Sequence, residues 1–233
     1  MKHGIQHYSF IQASRFVFTT LLTGMGIGLS VSLVASMFVT GLRFLTNHRH
    51  AMEGYFPSLQ IAGGSLVPMV WLICAAGLLW GIRRLFDITR WHGPADSIFG
   101  AHRLDNEIDV KAGVGSTIAA FVSLGGGASV GQYGPLVHFG ATIGTYIRQS
   151  FKNITIGTDV FIGCGVAAAI AAGFHAPIAG IVFAHEAVLR HFSFRALTPI
   201  AISSITSVWF STAIFGGDPL FALDAVATDL LPM

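Results

Sequence analysis

Residues 125–135 read Gly-Gly-Gly-Ala-Ser-Val-Gly-Gln-Tyr-Gly-Pro, inside a stretch, 112–147, that contains no Asp, Glu, Lys or Arg. The glycines break regular structure, and Pro135 suits the first position of a following helix because its missing N–H is not needed there. Irregular backbone at membrane depth is tolerated only where it is buried in protein or lines a cavity. A helix that begins there aims free N–H groups and the positive end of its dipole at the occupant, so an anion is the natural ligand. Gly131, Gln132, Tyr133, Gly134 and Pro135 are therefore the candidate anion-pathway residues. Tyr133 can plug the path, donate its O–H to an anion, or simply fill space. Gln132 can donate an amide N–H or cap the helix.

Other residue types carry less. Glu186 is the only acidic residue between Val160 and Leu189, and an intramembrane carboxylate is a functional candidate by default. The favoured reading is structural: a carboxylate near the cytoplasmic boundary, paired with a backbone N–H or with Arg190, four residues later. His138 and His175 read as packing or hydrogen-bonding residues. His185-Glu186 begins like the zinc-protease pattern, but the required second histidine is replaced by Leu189, and His191 lies on another face. No nucleophile elbow, phosphate loop or metal set is present, so no enzyme, metal or cofactor is expected. Cys74 and Cys164 read as buried small hydrophobes.

The elements that position these residues belong to a membrane. Of 233 residues, 53% are hydrophobic and 10% charged, where a soluble domain carries about 25% charged residues. A net charge of +2 without a basic run excludes nucleic acid as a partner. Residues 16–42 and the apolar part of 54–82 each predict a span, with a polar loop over 43–60 between them. Residues 112–147 predict two shorter helices meeting at the glycine break. Residues 160–185 predict two more, divided by Gly173, His175 and Pro177, and 196–217 a last long one. Short interrupted membrane segments point to a transport site. Arg83, Arg84, Arg90 and Arg103 form the densest basic cluster, which places that loop, and with it the N-terminus, in the cytoplasm.

Two motifs then carry a resemblance. Ser123 to Gly140, with Gly131-Gln132-Tyr133-Gly134-Pro135-Leu136-Val137-His138-Phe139-Gly140, is similar to the G-(R/K)-E-G-P-x-V-(H/Q)-x-G stretch of CLC chloride channels and transporters. Gly165 to Phe183, with Phe174-His175-Ala176-Pro177-Ile178-Ala179-Gly180, looks like that family's second stretch, G-x-A-A-G-x-A-A-x-F-(N/R)-A-P-x-(A/G)-G-x-L-F. The resemblance covers about 15–215 and matches the first of the family's two inverted halves only. It implies three departures. The gating glutamate of the family is Tyr133 here, and a phenol, with a pKa of about 10, does not shuttle protons near pH 7. The internal proton-accepting position is Ala187. The early anion-coordinating loop is reduced to His92-Gly93-Pro94, with Gly93 in place of the family's serine and backbone N–H groups still available.

The expectation is an all-α polytopic membrane protein with tilted and interrupted helices: a cytoplasmic segment over 1–14, a CLC-like half-domain over 15–215 and a linker-like segment over 216–233. Its expected function is passive transport of chloride or similar small anions across the cell membrane. The expected partners are small anions, the lipid bilayer, and a second copy of the chain or a complementary second half. The alternative is a truncated or split polypeptide that is structural, and inactive without that half. Small-residue stripes at 167–173 and 176–180 are expected to be left facing lipid, favouring association.

Overall fold

In a computed structural model of the chain, the described residues are 2–55, 60–61, 64–103, 108–151 and 156–216. The order is α1 (Lys2–Tyr55), a minimal antiparallel pairing of β1 (Gln60–Ile61) with β2 (Gly64–Ser65), α2 (Val67–Leu85), α3 (Pro94–His102), α4 (Val110–Gly125), α5 (Tyr133–Ser150), α6 (Thr158–Phe174), α7 (Pro177–Phe183), a π-helical turn over Ala184–Leu189, and α8 (Phe194–Phe215). Three stretches, Val17–Met52, Val67–Leu85 and Phe194–Phe215, are long and apolar enough to cross a membrane. The expected linker over 216–233 lies, apart from Gly216, outside the described residues.

α6 is the centre. Every residue from Phe161 to Gly173 is buried, as expected of a helix that is apolar all round. α5, α8, α1 and α7 enclose it. The stripe 167–173 therefore faces inward, against the expectation that it would meet lipid. Its small residues admit neighbouring backbones: a Cβ on Gly180 of α7 would stand 2.5 Å from the Ala167 carbonyl oxygen. The second stripe does face outward in part, with Ile178 76% exposed.

Polar side chains bond directly from helix to helix across this interior. On α8, Ser203 donates to the Cys164 carbonyl (3.0 Å), Ser207 to Ala168 (2.7 Å) and Ser204 to Pro177 (2.8 Å). Ser32 of α1 donates to the Ser207 carbonyl at 2.7 Å, so the ladder joins four helices, α1, α6, α7 and α8. Ser203→Ala and Ser207→Ala are each expected to lose about 0.5–1.5 kcal/mol of stability. Chemical unfolding in detergent checks this, with Ser30→Ala as the neutral control because Ser30 bonds only its own helix at Gly26.

The sequence reading fails in several places. α1 does not stop at Leu42 but runs 54 residues, to Tyr55, about 80 Å at roughly 1.5 Å per residue. No Gly or Pro interrupts 43–53, and the extension is anchored by tertiary contact: Leu45 fills the space beside Gly125, and the Arg49 guanidinium lies against Gly127. α3 was not anticipated. Cys74 points outward from α2, at the periphery of the fold, whereas Cys164 is buried as expected. Glu186 and Arg190 form no ion pair. The π turn displaces the helical register, and Arg190 leaves it in the left-handed conformation (φ 55°), which undoes the spacing of four.

Candidate functional site

The glycine break is built as a helix end, a tight turn and a new helix start. Asp109 caps α4, its carboxylate accepting from the Ala112 N–H at 3.0 Å. The helix ends as Gly127 N–H reaches the Leu124 carbonyl (2.9 Å) and Ala128 N–H the Ser123 carbonyl (3.0 Å). Gly127 sits at φ 99°, a conformation glycine adopts freely. Any side chain there would also collide with Arg49. After the exposed Gly131, α5 starts at Tyr133, with Gln132 as N-cap. Pro135 is thus the third helical residue, not the first. It still removes one N–H that would have lacked a partner, and the N–H groups of Tyr133 and Gly134 open the helix.

This start, like those of α2, α7 and α8, differs from the starts of α3, α4 and α6. α3 carries Asp96 in its first turn, α4 is capped by Asp109 and α6 carries Asp159. α5 has no acidic residue in its first turn and no side-chain cap. It opens on a cavity of about 310 Å³ between α1, α5 and the C-terminal ends of α6 and α8. Arg43, Asn47, Gln132, Tyr133 and His175 supply its main polar lining, and among the described residues no Asp or Glu lines it. Tyr133 is half-buried and stacks on Phe174 (ring centroids 3.9 Å apart, planes at 28°). The Gln132 side chain lies beside the Tyr133 hydroxyl, and the Arg43 charge acts on it. His175 ends α6 in the left-handed region, φ 52°, which turns it into the cavity.

The other sequence-derived positions fall elsewhere. Gly134 approaches Pro94, where the starts of α5 and α3 meet. Gly93 is the N-cap of α3, but its N–H donates to the Asp96 carboxylate at 2.8 Å, and Asp96 also pairs with Arg90. The backbone donor expected to be available to an anion at Gly93 is therefore taken by the chain's own carboxylate. Ala187 and Glu186 lie on the π turn, away from the cavity lining, with Glu186 exposed. His138 is 1% exposed, bonds Ser97 through Nδ1 at 2.8 Å and meets His92 edge to face, which fits the packing role expected of it. Sequence reasoning missed Arg43 and Asn47. Their signal was an arginine directly after an uncharged run, read as the start of a loop. No cluster of three or more metal-ligating side chains occurs among the described residues.

The family model described as "voltage gated chloride channel" matches residues 74–233. The chain belongs to that family. Among curated CLC relatives, the "voltage-gated ClC-type chloride channel ClcB" of Citrobacter koseri is 25% identical over 209 residues, 86% of this chain and 49% of the relative. The ClcB of Salmonella typhi is 25% identical over 223 residues, 92% and 52% respectively. Among solved structures, a slow cyanobacterial Cl⁻/H⁺ antiporter superposes with a TM-score of 0.72 at 18% identity, over 89% of this chain and 49% of that one. A CLC-type fluoride/proton antiporter gives 0.63 at 24% identity, over 84% and 47%. These likenesses establish a helical, polytopic CLC fold. The chain spans about half the length of the CLC relatives it matches.

Proposed function

We propose that the chain forms a passive path for chloride or similar small anions, with the α5 entrance as its anion-facing element. The observation that carries this reading is an uncapped 18-residue helix opening on a cavity lined by Arg43 and, among the described residues, by no carboxylate. Attraction comes from the helix N–H groups and dipole together with the Arg43 charge. Weak binding at such a place lets an ion leave as well as enter. Near neutral pH Tyr133 keeps its phenol proton and Ala187 has no titratable group, so neither shuttles protons and conduction is uncoupled. Gly93 contributes less than the family resemblance implies, because Asp96 occupies its N–H. The chain is read as a transporter in the cell membrane, not an enzyme, with the N-terminus cytoplasmic and the half-domain over 15–215 as the conducting unit.

Tyr133 partly closes this path by stacking across the cavity mouth on Phe174. In liposomes holding the full chain, Tyr133→Ala is expected to speed chloride efflux about tenfold, equivalent to about 1.4 kcal/mol off the barrier. No efflux from either protein, with folding confirmed by a monodisperse elution profile, would refute conduction by this chain alone. A second reading is favoured by the outward apolar faces of α7 and α8, where Ile178 is 76%, Ile205 58% and Trp209 67% exposed. Here the chain conducts only when those faces meet a second copy or a complementary half. Efflux that appears only with crosslinkable oligomers would select it.

A further inference from the structure

We infer that the cavity between Arg43 and Tyr133 is a binding site for a small carboxylate, gripped by the Arg43 guanidinium. The inference rests on the reading of the α5 entrance as anion-facing and names a different class of occupant for it. Size is the first argument. A volume of about 310 Å³ is roughly ten times the ~30 Å³ that one water takes up in the liquid, so a monatomic anion leaves most of it unfilled. It reaches the lower end of the range for small-molecule pockets, about 300 Å³.

The lining decides the chemistry. Side chains that carry donors line it from two sides: Arg43 and Asn47 from α1, Gln132 and Tyr133 from the start of α5. Among the described residues Arg43 has no acidic partner, and none of those that line the cavity is acidic. A guanidinium presents its N–H groups as a planar fork that matches two oxygens of one carboxylate, a geometry a spherical halide cannot use. Val39, Leu42 and Phe215 supply an apolar wall for a short alkyl group. Arg43 reaches this position only because α1 continues as a helix past Leu42.

The test is calorimetric titration of the detergent-solubilised full chain with sodium acetate and, separately, sodium chloride at constant ionic strength. Acetate is expected to bind at least about tenfold more tightly than chloride, and Arg43→Gln to weaken acetate by about ten- to a hundredfold, the range for a hydrogen bond to a charged group. Arg43→Lys keeps the charge but loses the fork. It is expected to weaken acetate at least about fivefold. Equal affinity for the two anions, or unchanged acetate binding in folded Arg43→Gln or Arg43→Lys protein, would overturn the inference. Loss of acetate preference with chloride efflux intact rejects this site alone. Acetate binding with no efflux rejects conduction and leaves the site standing.

Discussion

Gly165→Leu is expected to eliminate the folded protein. At the crossing of α5 and α6, backbone lies against backbone: a Cβ on Gly165 would overlap the Gly140 carbonyl oxygen, and one on Gly140 would overlap that of Gly165. Gly144 lies equally close to the Phe161 carbonyl. No rotamer relieves this, because the obstruction is main chain. A leucine must push the helices toward the 8–10 Å separation of ordinary helix pairs. That separation would break the fit of the helix around which the whole fold is packed. Overpacking typically costs about 1–3 kcal/mol and occasionally more, and three coupled contacts place this case at or above the upper end. Net stabilities of about 5–15 kcal/mol leave little reserve. Size-exclusion chromatography in detergent should show the monodisperse peak lost. Gly77→Leu, on the outward side of α2 with open space around it, should elute as the parent does. A parental elution profile and thermal midpoint for Gly165→Leu would contradict the packing described.

Tyr133→Glu carries the second large effect, and its sign follows from position. The new side chain would stand at the first residue of α5, in the field of Arg43 and of the helix start. Both favour the ionised carboxylate. It then occupies the place of the anion and repels one arriving from solution. Chloride efflux at pH 7 is expected to fall about tenfold below the parent, equivalent to about 1.4 kcal/mol added to the barrier. Protonation removes the charge, so the deficit should narrow as pH falls through the carboxylate range near about 4. Equal efflux of parent and variant at pH 7 would show that Tyr133 does not face the path.

The fold was legible where local chemistry and tertiary structure agree. Gly125 to Pro135 breaks the chain into α4 and α5, and Gly173 to Pro177 separates α6 from α7, because glycine and proline act on their own backbone. What escaped depends on partners distant in sequence. The polar stretch after Leu42 reads as a loop until Gly125 and Gly127 provide surfaces for Leu45 and Arg49. A run of small residues such as 167–173 suits an outer association face or an inner crossing equally well, and only the glycines of α5 and the serines of α8 assign it inward. The nine-residue α3 is too short to announce itself, although its Asp96 governs the electrostatics at Gly93. Of the candidate site, Gln132 and Tyr133 stand in the glycine break itself and line the cavity it opens on. Arg43 escaped, because its role follows from the unexpected length of α1.

The central claim is uncoupled anion passage through the Tyr133 entrance. It is tested most directly by recording chloride and proton fluxes together in proteoliposomes loaded with a chloride gradient. Chloride should move only when a cation ionophore removes the opposing voltage, and the internal pH should stay constant throughout. Protons driven uphill in fixed proportion to chloride would contradict the account, since they would demand a titratable carrier that neither Tyr133 nor Ala187 supplies.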